Sequence, residues 1–261
     1  MPDNEMITMS VFRGDKSGGR EVTYEVPLTT GMVVLDAVHY IQATYAPDLA
    51  VRWNCKAAHC GSCSGEVNGM PKLMCKARLD EYVGEVVHVR PMHTFPLIRD
   101  LVTDVSWNYE VQKRIPPFQP ATPAPFTLYQ QDVDRVQEFR ECIECFLCQN
   151  TCHVLRDHDG KSRYFGPRSM IRIAELEMHP MDTGDRLALL HGDAGLAMCN
   201  VTKCCSVVCP AGIDLTDNGI IPLKERVADR YWDPLRRIWH SVTGRGTPPS
   251  SPTAGEARAS D

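Results

Sequence analysis

Residues 141–152, ECIECFLCQNTC, place four cysteines at the spacing Cys-x2-Cys-x2-Cys-x3-Cys. The chain has 261 residues and twelve cysteines, and every cysteine belongs to one of three groups of four. The groups are Cys55, Cys60, Cys63 and Cys75; Cys142, Cys145, Cys148 and Cys152; and Cys199, Cys204, Cys205 and Cys209. Thiolates grouped in this way are typical of iron–sulfur clusters, so we expect electron-transfer chemistry.

The middle group has the spacing of a bacterial ferredoxin run, with His153 where a proline usually stands. In ferredoxins with two clusters, the first three cysteines of such a run bind one cluster and the fourth binds the neighbouring cluster. Cys152 is therefore predicted to bind a second cluster. The last cysteine of a partner run is predicted to complete the first cluster.

The last group is that partner run, because it ends in Cys209-Pro210 and repeats the spacing with one exception. Thr202 stands where the second cysteine belongs, and a hydroxyl is a poor iron ligand beside thiolates. The vacant corner predicts a [3Fe–4S] cluster held by Cys152, Cys199 and Cys205. The complete [4Fe–4S] cluster is then predicted to use Cys142, Cys145, Cys148 and Cys209.

Cys204 is left over by this register. We interpret it as a buried structural thiol, since free cysteines are commonly buried. The alternative is that Cys204 replaces the missing ligand and restores a fourth iron, although its position breaks the three-residue spacing of the run.

The first group has the spacing Cys-x4-Cys-x2-Cys of a plant-type [2Fe–2S] site, with Cys75 as the fourth ligand after Cys55, Cys60 and Cys63. Small residues in the loop allow backbone N–H groups to turn towards the cluster. Asn68-Gly69 predicts a hairpin that returns Cys75 to the site. A zinc site is the alternative, but zinc sites usually pair two Cys-x2-Cys units. His59 is interpreted as a loop side chain, not a ligand.

Composition narrows the class of protein. A net charge of −5 argues against a nucleic-acid partner. No apolar run is long enough to span a membrane, and the first residues lack the pattern of a secretory or transit signal. We therefore expect a reducing compartment, in which cysteines serve as metal ligands and not as disulfides.

The predicted fold is α+β. Strands at 7–12, 21–28 and 85–89, with a helix at 32–45, predict a plant-type ferredoxin (β-grasp) domain at 1–114. The proline-rich stretch at 115–126 predicts an extended connector. Helices at 133–140, 168–177, 186–198 and 216–231 predict an all-α bacterial-ferredoxin-like domain at 127–243. Residues 244–261 predict a disordered tail, and the aromatic and basic segment at 233–240 could contact an anchor or lipid headgroups.

These motifs together resemble the iron–sulfur subunit of succinate dehydrogenase and fumarate reductase over about residues 5–232. The matching segments are CGSCSGEVNG at 60–69, ECIECFLCQNTC at 141–152, YFGPRS at 164–169 and CNVTKCCSVVCPAGID at 199–214. The resemblance implies an electron relay with no catalytic residues of its own.

In this family a flavoprotein subunit oxidises succinate at FAD and docks on the plant-type domain. Electrons pass from the [2Fe–2S] through the [4Fe–4S] to the [3Fe–4S] cluster, which faces a quinone in a membrane anchor. The resemblance thus implies an FAD-containing flavoprotein, one or more anchor subunits and a quinone as partners. It also implies a peripheral position on the cytoplasmic face of the bacterial inner membrane. The chain itself has no GxGxxG motif for FAD.

Two positions depart from the family. Many ubiquinone-reducing members carry proline and tryptophan after the cysteine equivalent to Cys152, and histidine after the one equivalent to Cys199. Here His153 and Asn200 stand in those places, which favours a different quinone, such as menaquinone, or a quinone site built mostly by the anchor.

Three alternatives to succinate oxidation stay open. Fumarate reductase has the same architecture run in reverse, and the direction depends on cluster potentials that the sequence does not fix. Ferredoxin subunits of the heterodisulfide-reductase or glycolate-oxidase type lack the plant-type domain and the Thr202 corner. A structural zinc-binding interaction protein would be colourless and would contain zinc in place of iron.

Overall fold

The structure is a computed structural model that describes residues 5–121, 127–158 and 160–233, without the side chain of Asp132. The predicted tail at 244–261, residues 122–126 of the connector and residues 234–240 of the C-terminal segment lie outside the described residues.

The N-terminal half is built on one sheet. Its strands are β1 (Met6–Asp15), β2 (Gly18–Pro27), β3 (Ser64–Val67), β4 (Met70–Leu73), β5 (Val87–Arg90), β6 (Leu97–Arg99) and β7 (Val102–Thr103). The order is β4-β3-β5-β1-β6-β7, with β2 paired to β1. The β1–β5 pair is parallel, whereas the β1–β2 and β3–β4 pairs are antiparallel hairpins.

The first hairpin turns two residues earlier than the predicted Gly18-Gly19. Asp15 pairs with Gly18, so Lys16 and Ser17 form the turn and both glycines lie in β2. The reason is the Asp15 side chain, whose Oδ1 accepts hydrogen bonds from the backbone N–H of Ser17 at 2.8 Å and its hydroxyl at 2.5 Å. A short aspartate that binds the backbone two residues on closes a turn at that point.

Helix α1 (Val34–Thr44) covers the sheet, as the sequence predicts. Its apolar face follows helical spacing and is fully buried through Val34, Ala37, Val38 and Ile41. This face packs with the inward side chains of β1 and β5 in one core, which also contains Cys63 of the first cysteine group.

The C-terminal half is helical. Its helices, with the one preceding the connector, are α2 (Ser106–Lys113), α3 (Gln130–Arg140), α4 (Leu147–Thr151), α5 (His153–Arg156), α6 (Pro167–Glu177), α7 (Leu187–His191), α8 (Cys204–Val207) and α9 (Ile221–Tyr231). A π-helical turn at Leu215–Ile220 leads into α9. The chain is therefore an α+β protein with a sheet-rich N-terminal part and a helical C-terminal part, as predicted.

The helix predicted at 186–198 is wrong in its length. Helix α7 ends at His191, and a single 3₁₀ turn follows at Leu196–Met198. Gly192 ends the helix with φ −94° and ψ −107°, outside the helical region. Gly195 then keeps the helix from resuming, because its φ of 64° is left-handed and any Cβ there would collide with the backbone carbonyl of Arg163. This break redirects the chain so that Cys199 follows in extended conformation.

Two cores meet at the second cysteine group. Cys145, Phe146 and Leu147 pack in the sheet core, although they come from the helical half. Val111 of α2 and Ile115 of the connector pack in the helical core. Each half therefore contributes side chains to the core of the other. The boundary between the two halves passes through the second cysteine group.

Candidate functional site

The first cysteine loop directs its backbone N–H groups at its own sulfurs. The N–H groups of Ala57 and His59 each lie 3.3 Å from Cys55 Sγ. The N–H groups of Cys55 and Ser62 each lie 3.5 Å from Cys60 Sγ. Donors arranged in this way stabilise negatively charged thiolates and the sulfides they surround.

This loop geometry depends on left-handed backbone conformations. Lys56, Ala58 and Gly61 have φ values of 56°, 58° and 68°. Glycine is required at position 61 for two reasons: the φ is left-handed, and a Cβ added there would lie 2.7 Å from the Cα of Cys145. The first loop therefore rests directly on the second cysteine group.

The β3–β4 hairpin returns the chain to the loop, as predicted. Asn68 and Gly69 form its two-residue turn with φ values of 47° and 77°, the pattern expected for Asn-Gly. Cys63 precedes β3 and Cys75 follows β4, and the N–H of Met74 donates to the carbonyl of Cys63 at 3.0 Å. The hairpin thus brings the last cysteine beside the third.

The thiols of this loop differ sharply in acidity. Burial opposes ionisation of Cys60, but the hydrogen bonds from Cys55 and Ser62 outweigh it and lower the pKa of Cys60 to about 6. Burial raises the pKa of Cys63 to about 12, with the neighbouring Cys75 and Cys60 acting in the same direction. The loop therefore pairs the half-buried Cys60, whose pKa is lowered, with the buried Cys63, whose pKa is raised.

The second site is a cavity in the helical half. It is lined by the thiols of Cys142, Cys145, Cys148 and Cys209, and by apolar side chains that include Ile171. Cys209 comes from the third group of the sequence, so the tertiary structure brings the last cysteine of one run to the first three of the other. Burial raises the pKa of Cys145 to about 12 and that of Cys148 well above its usual value. A group that binds these thiols must displace their protons.

The remaining cysteines form the third site. Cys152 lies close to Cys199 and Cys204, and Cys205 has the same two neighbours. Burial raises the pKa of Cys152 to about 11, against the opposing effect of backbone N–H groups at the start of α5. The Cys205 Sγ lies 3.5 Å from the Thr216 hydroxyl.

Tyr164 completes this third site and was not identified from the sequence. It is 1% exposed. Burial raises the pKa of its hydroxyl well above the usual value, and Cys199, Cys152 and Cys205 act in the same direction. The hydroxyl is hydrogen-bonded to the Cys199 thiol. The only signal for it in the sequence is its place in the segment YFGPRS.

The second and third cysteine runs have the same backbone. Glu144 and Phe146 are left-handed, with φ values of 55° and 61°, and α4 begins directly after Phe146. Val201 and Lys203 are left-handed, with φ values of 63° and 61°, and α8 begins directly after Lys203. A non-glycine residue at positive φ is uncommon, so two matched pairs mark a repeated loop.

This repeat aligns Thr202 with Cys145 and Cys204 with Leu147. Thr202 is exposed, and its hydroxyl lies 3.3 Å from the Cys204 Sγ. Leu147 is a buried packing residue, whereas Cys204 is half-buried. We expected Cys204 to be a buried structural thiol, but at the first position of α8 it is only half-buried.

The thiols are spread around each site and are not gathered at the distance of a single metal ion. Within 5–121, 127–158 and 160–233, no three His, Cys, Asp or Glu side chains lie close enough to hold a single metal ion. All-thiolate donor sets, inward N–H groups and burial fit polynuclear iron–sulfur clusters. His59, whose backbone binds Cys55, is exposed.

The match to family models agrees with this division. A 2Fe-2S iron-sulfur cluster binding domain matches residues 8–110, and a 4Fe-4S dicluster domain matches residues 138–213. The fold and the three thiol sites thus define a multicluster iron–sulfur protein.

Comparison with known proteins gives the family. The chain is 33% identical over 227 residues to the fumarate reductase iron-sulfur subunit of Mycobacterium tuberculosis, covering 82% of this chain and 89% of the relative. It is 27% identical over 234 residues to the succinate dehydrogenase iron-sulfur subunit of Bacillus subtilis, covering 83% and 90%. A chain of the Mycobacterium smegmatis Sdh1 complex in the apo form superposes with a TM-score of 0.87 and 54% identity, covering 89% of this chain and 99% of that chain.

The chain belongs to the family of iron–sulfur subunits of succinate dehydrogenase and fumarate reductase, and its role is electron transfer within such an oxidoreductase complex. Among the described residues, no helix has both the length and the apolar character needed to cross a membrane.

Proposed function

We propose that the chain relays electrons from the FAD of a flavoprotein subunit to a quinone through [2Fe–2S], [4Fe–4S] and [3Fe–4S] clusters in that order. The chain supplies ligands and surroundings to the clusters and no catalytic residue of its own. Residues 1–114 form a plant-type ferredoxin (β-grasp) domain, and residues 127–243 form a bacterial-ferredoxin-like domain, joined by the connector at 115–126. The cluster order along the relay follows the order of these domains.

The proposed ligands follow the three thiol sites. The [2Fe–2S] cluster takes Cys55, Cys60, Cys63 and Cys75. The [4Fe–4S] cluster takes Cys142, Cys145, Cys148 and Cys209. The [3Fe–4S] cluster takes Cys152, Cys199 and Cys205.

The repeated loop, with matched left-handed residues in the second and third cysteine runs, supports the assignment of the third cluster. Since Thr202 occupies the backbone position of Cys145, the third site lacks the thiolate that would hold a fourth iron. Cys204 follows at the backbone position of Leu147, a packing residue whose side chain in α4 supports the core. This alignment favours a cluster of three irons with Cys204 outside the ligand set.

The proposed direction is succinate oxidation. The chain shares 54% identity with its counterpart in the Sdh1 complex and 33% with the fumarate reductase subunit of M. tuberculosis. The proposed partners are the flavoprotein and one or more membrane anchor subunits at the cytoplasmic face of the cell membrane. His153 is half-buried and Asn200 is exposed beside the third site. They replace the residues typical of ubiquinone reducers and support menaquinone or an anchor-built quinone site.

Metal analysis and EPR of the complex purified without oxygen test the assignment. We expect about nine irons per chain, from clusters of two, four and three irons, and no stoichiometric zinc. Air oxidation should reveal the EPR signal of a [3Fe–4S] cluster. A zinc-loaded, colourless chain would overturn the proposal.

Thr202→Cys tests the register and Cys204→Ala is its matched control. Thr202→Cys should supply the missing thiolate, raise the iron content by one and remove the [3Fe–4S] signal. Cys204→Ala should leave both unchanged. If Cys204→Ala alters the cluster while Thr202→Cys does not, Cys204 is a ligand and the assignment is wrong. Rates of succinate oxidation and fumarate reduction by the same complex test the direction.

A further inference from the structure

Arg168 is a buried cation at the wall of the second cysteine cavity. It follows Gly166 and Pro167 in the first turn of α6 and is 5% exposed. Arginine is almost never fully buried unless its charge is paired. Each nitrogen of the buried guanidinium should therefore have a hydrogen-bond or ionic partner.

Among the described residues, only one part of that guanidinium has a partner. Nη2 donates to Oε1 of Glu144, whose side chain is 38% exposed. Nε and Nη1 are buried and have no hydrogen-bond partner among the described residues. A buried donor left without a partner is strongly unfavourable, and such an exception in a native structure calls for an explanation.

The position of the side chain supplies that explanation. Arg168 lines the same cavity as the thiols of Cys142, Cys145, Cys148 and Cys209. The buried Nε and Nη1 donors therefore belong to a cationic side chain at the wall of the cavity that these thiols line.

We propose that Arg168 donates hydrogen bonds to the [4Fe–4S] cluster or its thiolates and raises the reduction potential of that cluster. The inference rests on the ligand assignment proposed above. In the relay the cluster accepts one electron from the [2Fe–2S] side and passes one electron to the [3Fe–4S] side, with no proton taken up. Each reduction adds one negative charge to a cavity of low dielectric constant, where a fixed cation favours the reduced state.

Redox titration of the intact complex, followed by the EPR signal of the reduced [4Fe–4S] cluster, tests this role. Arg168→Gln removes the charge and most donors, and should disfavour reduction at least tenfold, a downward shift of about 59 mV for one electron. Arg168→Lys keeps the charge but loses the planar fork of donors, and should give a smaller downward shift. The [2Fe–2S] and [3Fe–4S] potentials in the same samples should stay constant.

Arg172 provides the matched control. It lies one turn further along α6, is half-buried and pairs with Glu175 at 2.6 Å, and it does not line the cysteine cavity. Arg172→Gln removes the same charge and should leave the [4Fe–4S] potential at the wild-type value. If Arg168→Gln shifts the potential no more than Arg172→Gln does, the proposal is overturned. If Arg168→Gln fails to assemble, Arg168→Lys decides by the same comparison.

Cys209→Ser separates this proposal from the ligand assignment. Loss or alteration of the [4Fe–4S] signal in Cys209→Ser supports the assignment on which the role of Arg168 rests. An unchanged signal in Cys209→Ser removes the assignment and the proposal with it. If Cys209→Ser loses the [4Fe–4S] signal but Arg168→Gln leaves the [4Fe–4S] potential unchanged, the ligand assignment stands and only the role of Arg168 is overturned.

Discussion

The side-chain amide of Asn150 donates from Nδ2 to Oε1 of Glu66 at 2.8 Å, across the boundary between the sheet and the helical half. Glu66 lies on β3 and is 5% exposed, and Asn150 lies on α4 between two proposed cluster ligands. Arg156 of α5 donates to the same oxygen at 3.0 Å. The N–H of Thr94 in turn donates to Asn150 Oδ1 at 3.0 Å. This buried network fixes the first cysteine site relative to the second and third.

Removing the Glu66 carboxylate should weaken this boundary. Glu66→Ala leaves the buried Asn150 amide and the partly exposed Arg156 without their shared acceptor and should destabilise the chain by about 1–3 kcal/mol, the cost of an unsatisfied buried donor. Glu66→Gln keeps an acceptor and should have a smaller effect. Thermal loss of cluster absorbance in the purified complex measures both, with exposed Glu85→Gln as the control. Equal melting temperatures for Glu66→Ala and the control would contradict this prediction.

Gly61→Ala should disrupt the contact between the first and second cysteine sites. The substitution places a Cβ 2.7 Å from the Cys145 Cα at a left-handed backbone position, so it must shift one of the two loops. Gly69→Ala is the matched control, because its φ is 77° but no atom lies within 4 Å of an added Cβ. The control should lose only about 1 kcal/mol.

Iron content and the EPR signal of the reduced [2Fe–2S] cluster distinguish the two glycine variants. Gly61→Ala should lose [2Fe–2S] signal, whereas Gly69→Ala should retain it. Full occupancy of the [2Fe–2S] site in Gly61→Ala would show that the loops tolerate the shift.

Cys60 and Cys63 should differ in alkylation when iron is removed. The pKa of Cys60 is lowered to about 6, so at pH 7 most of this thiol is ionised. The pKa of Cys63 is raised to about 12, so at pH 7 it is protonated. Since the thiolate is the nucleophile, iodoacetamide should label Cys60 first, with a rate that falls as pH drops through about 6. Mass spectrometry of the labelled peptides measures this, and preferential labelling of Cys63 at pH 7 would contradict the loop geometry.

Arg186 should anchor the described part of the connector. Its side chain is fully buried, pairs with Asp182 at 2.9 Å, and donates to the carbonyls of Pro116 at 2.9 Å and Pro117 at 2.7 Å. Arg186→Met leaves Asp182 as an unpaired buried charge and should destabilise the helical half by about 3–5 kcal/mol. Limited proteolysis should then cut near 115–121 more rapidly.

Arg230→Met is the control for this variant, because Arg230 pairs with Asp185 at the surface and surface pairs contribute little. Cleavage of Arg186→Met at the rate of Arg230→Met would show that the connector is held by other contacts.

The sequence by itself predicts which residues carry the chemistry. Cysteine spacing identified the three groups and the exceptional Thr202, because iron–sulfur ligation imposes fixed intervals along the chain. Helical spacing placed α1, and Asn68-Gly69 placed the β3–β4 turn, since both signals are local. The helix at 186–198 was predicted too long because the collision that requires Gly195 involves Arg163, thirty-two positions earlier.

Only the tertiary structure decided what surrounds the thiols. The contacts of the buried Arg168 with Glu144, of Tyr164 with Cys199 and of Asn150 with Glu66 all join residues distant in sequence. Such contacts arise from packing two cores against each other, and no local pattern of residue types encodes them. The spacing of the twelve cysteines therefore predicts eleven of them as ligands, whereas the charges and donors around them depend on how the two halves meet.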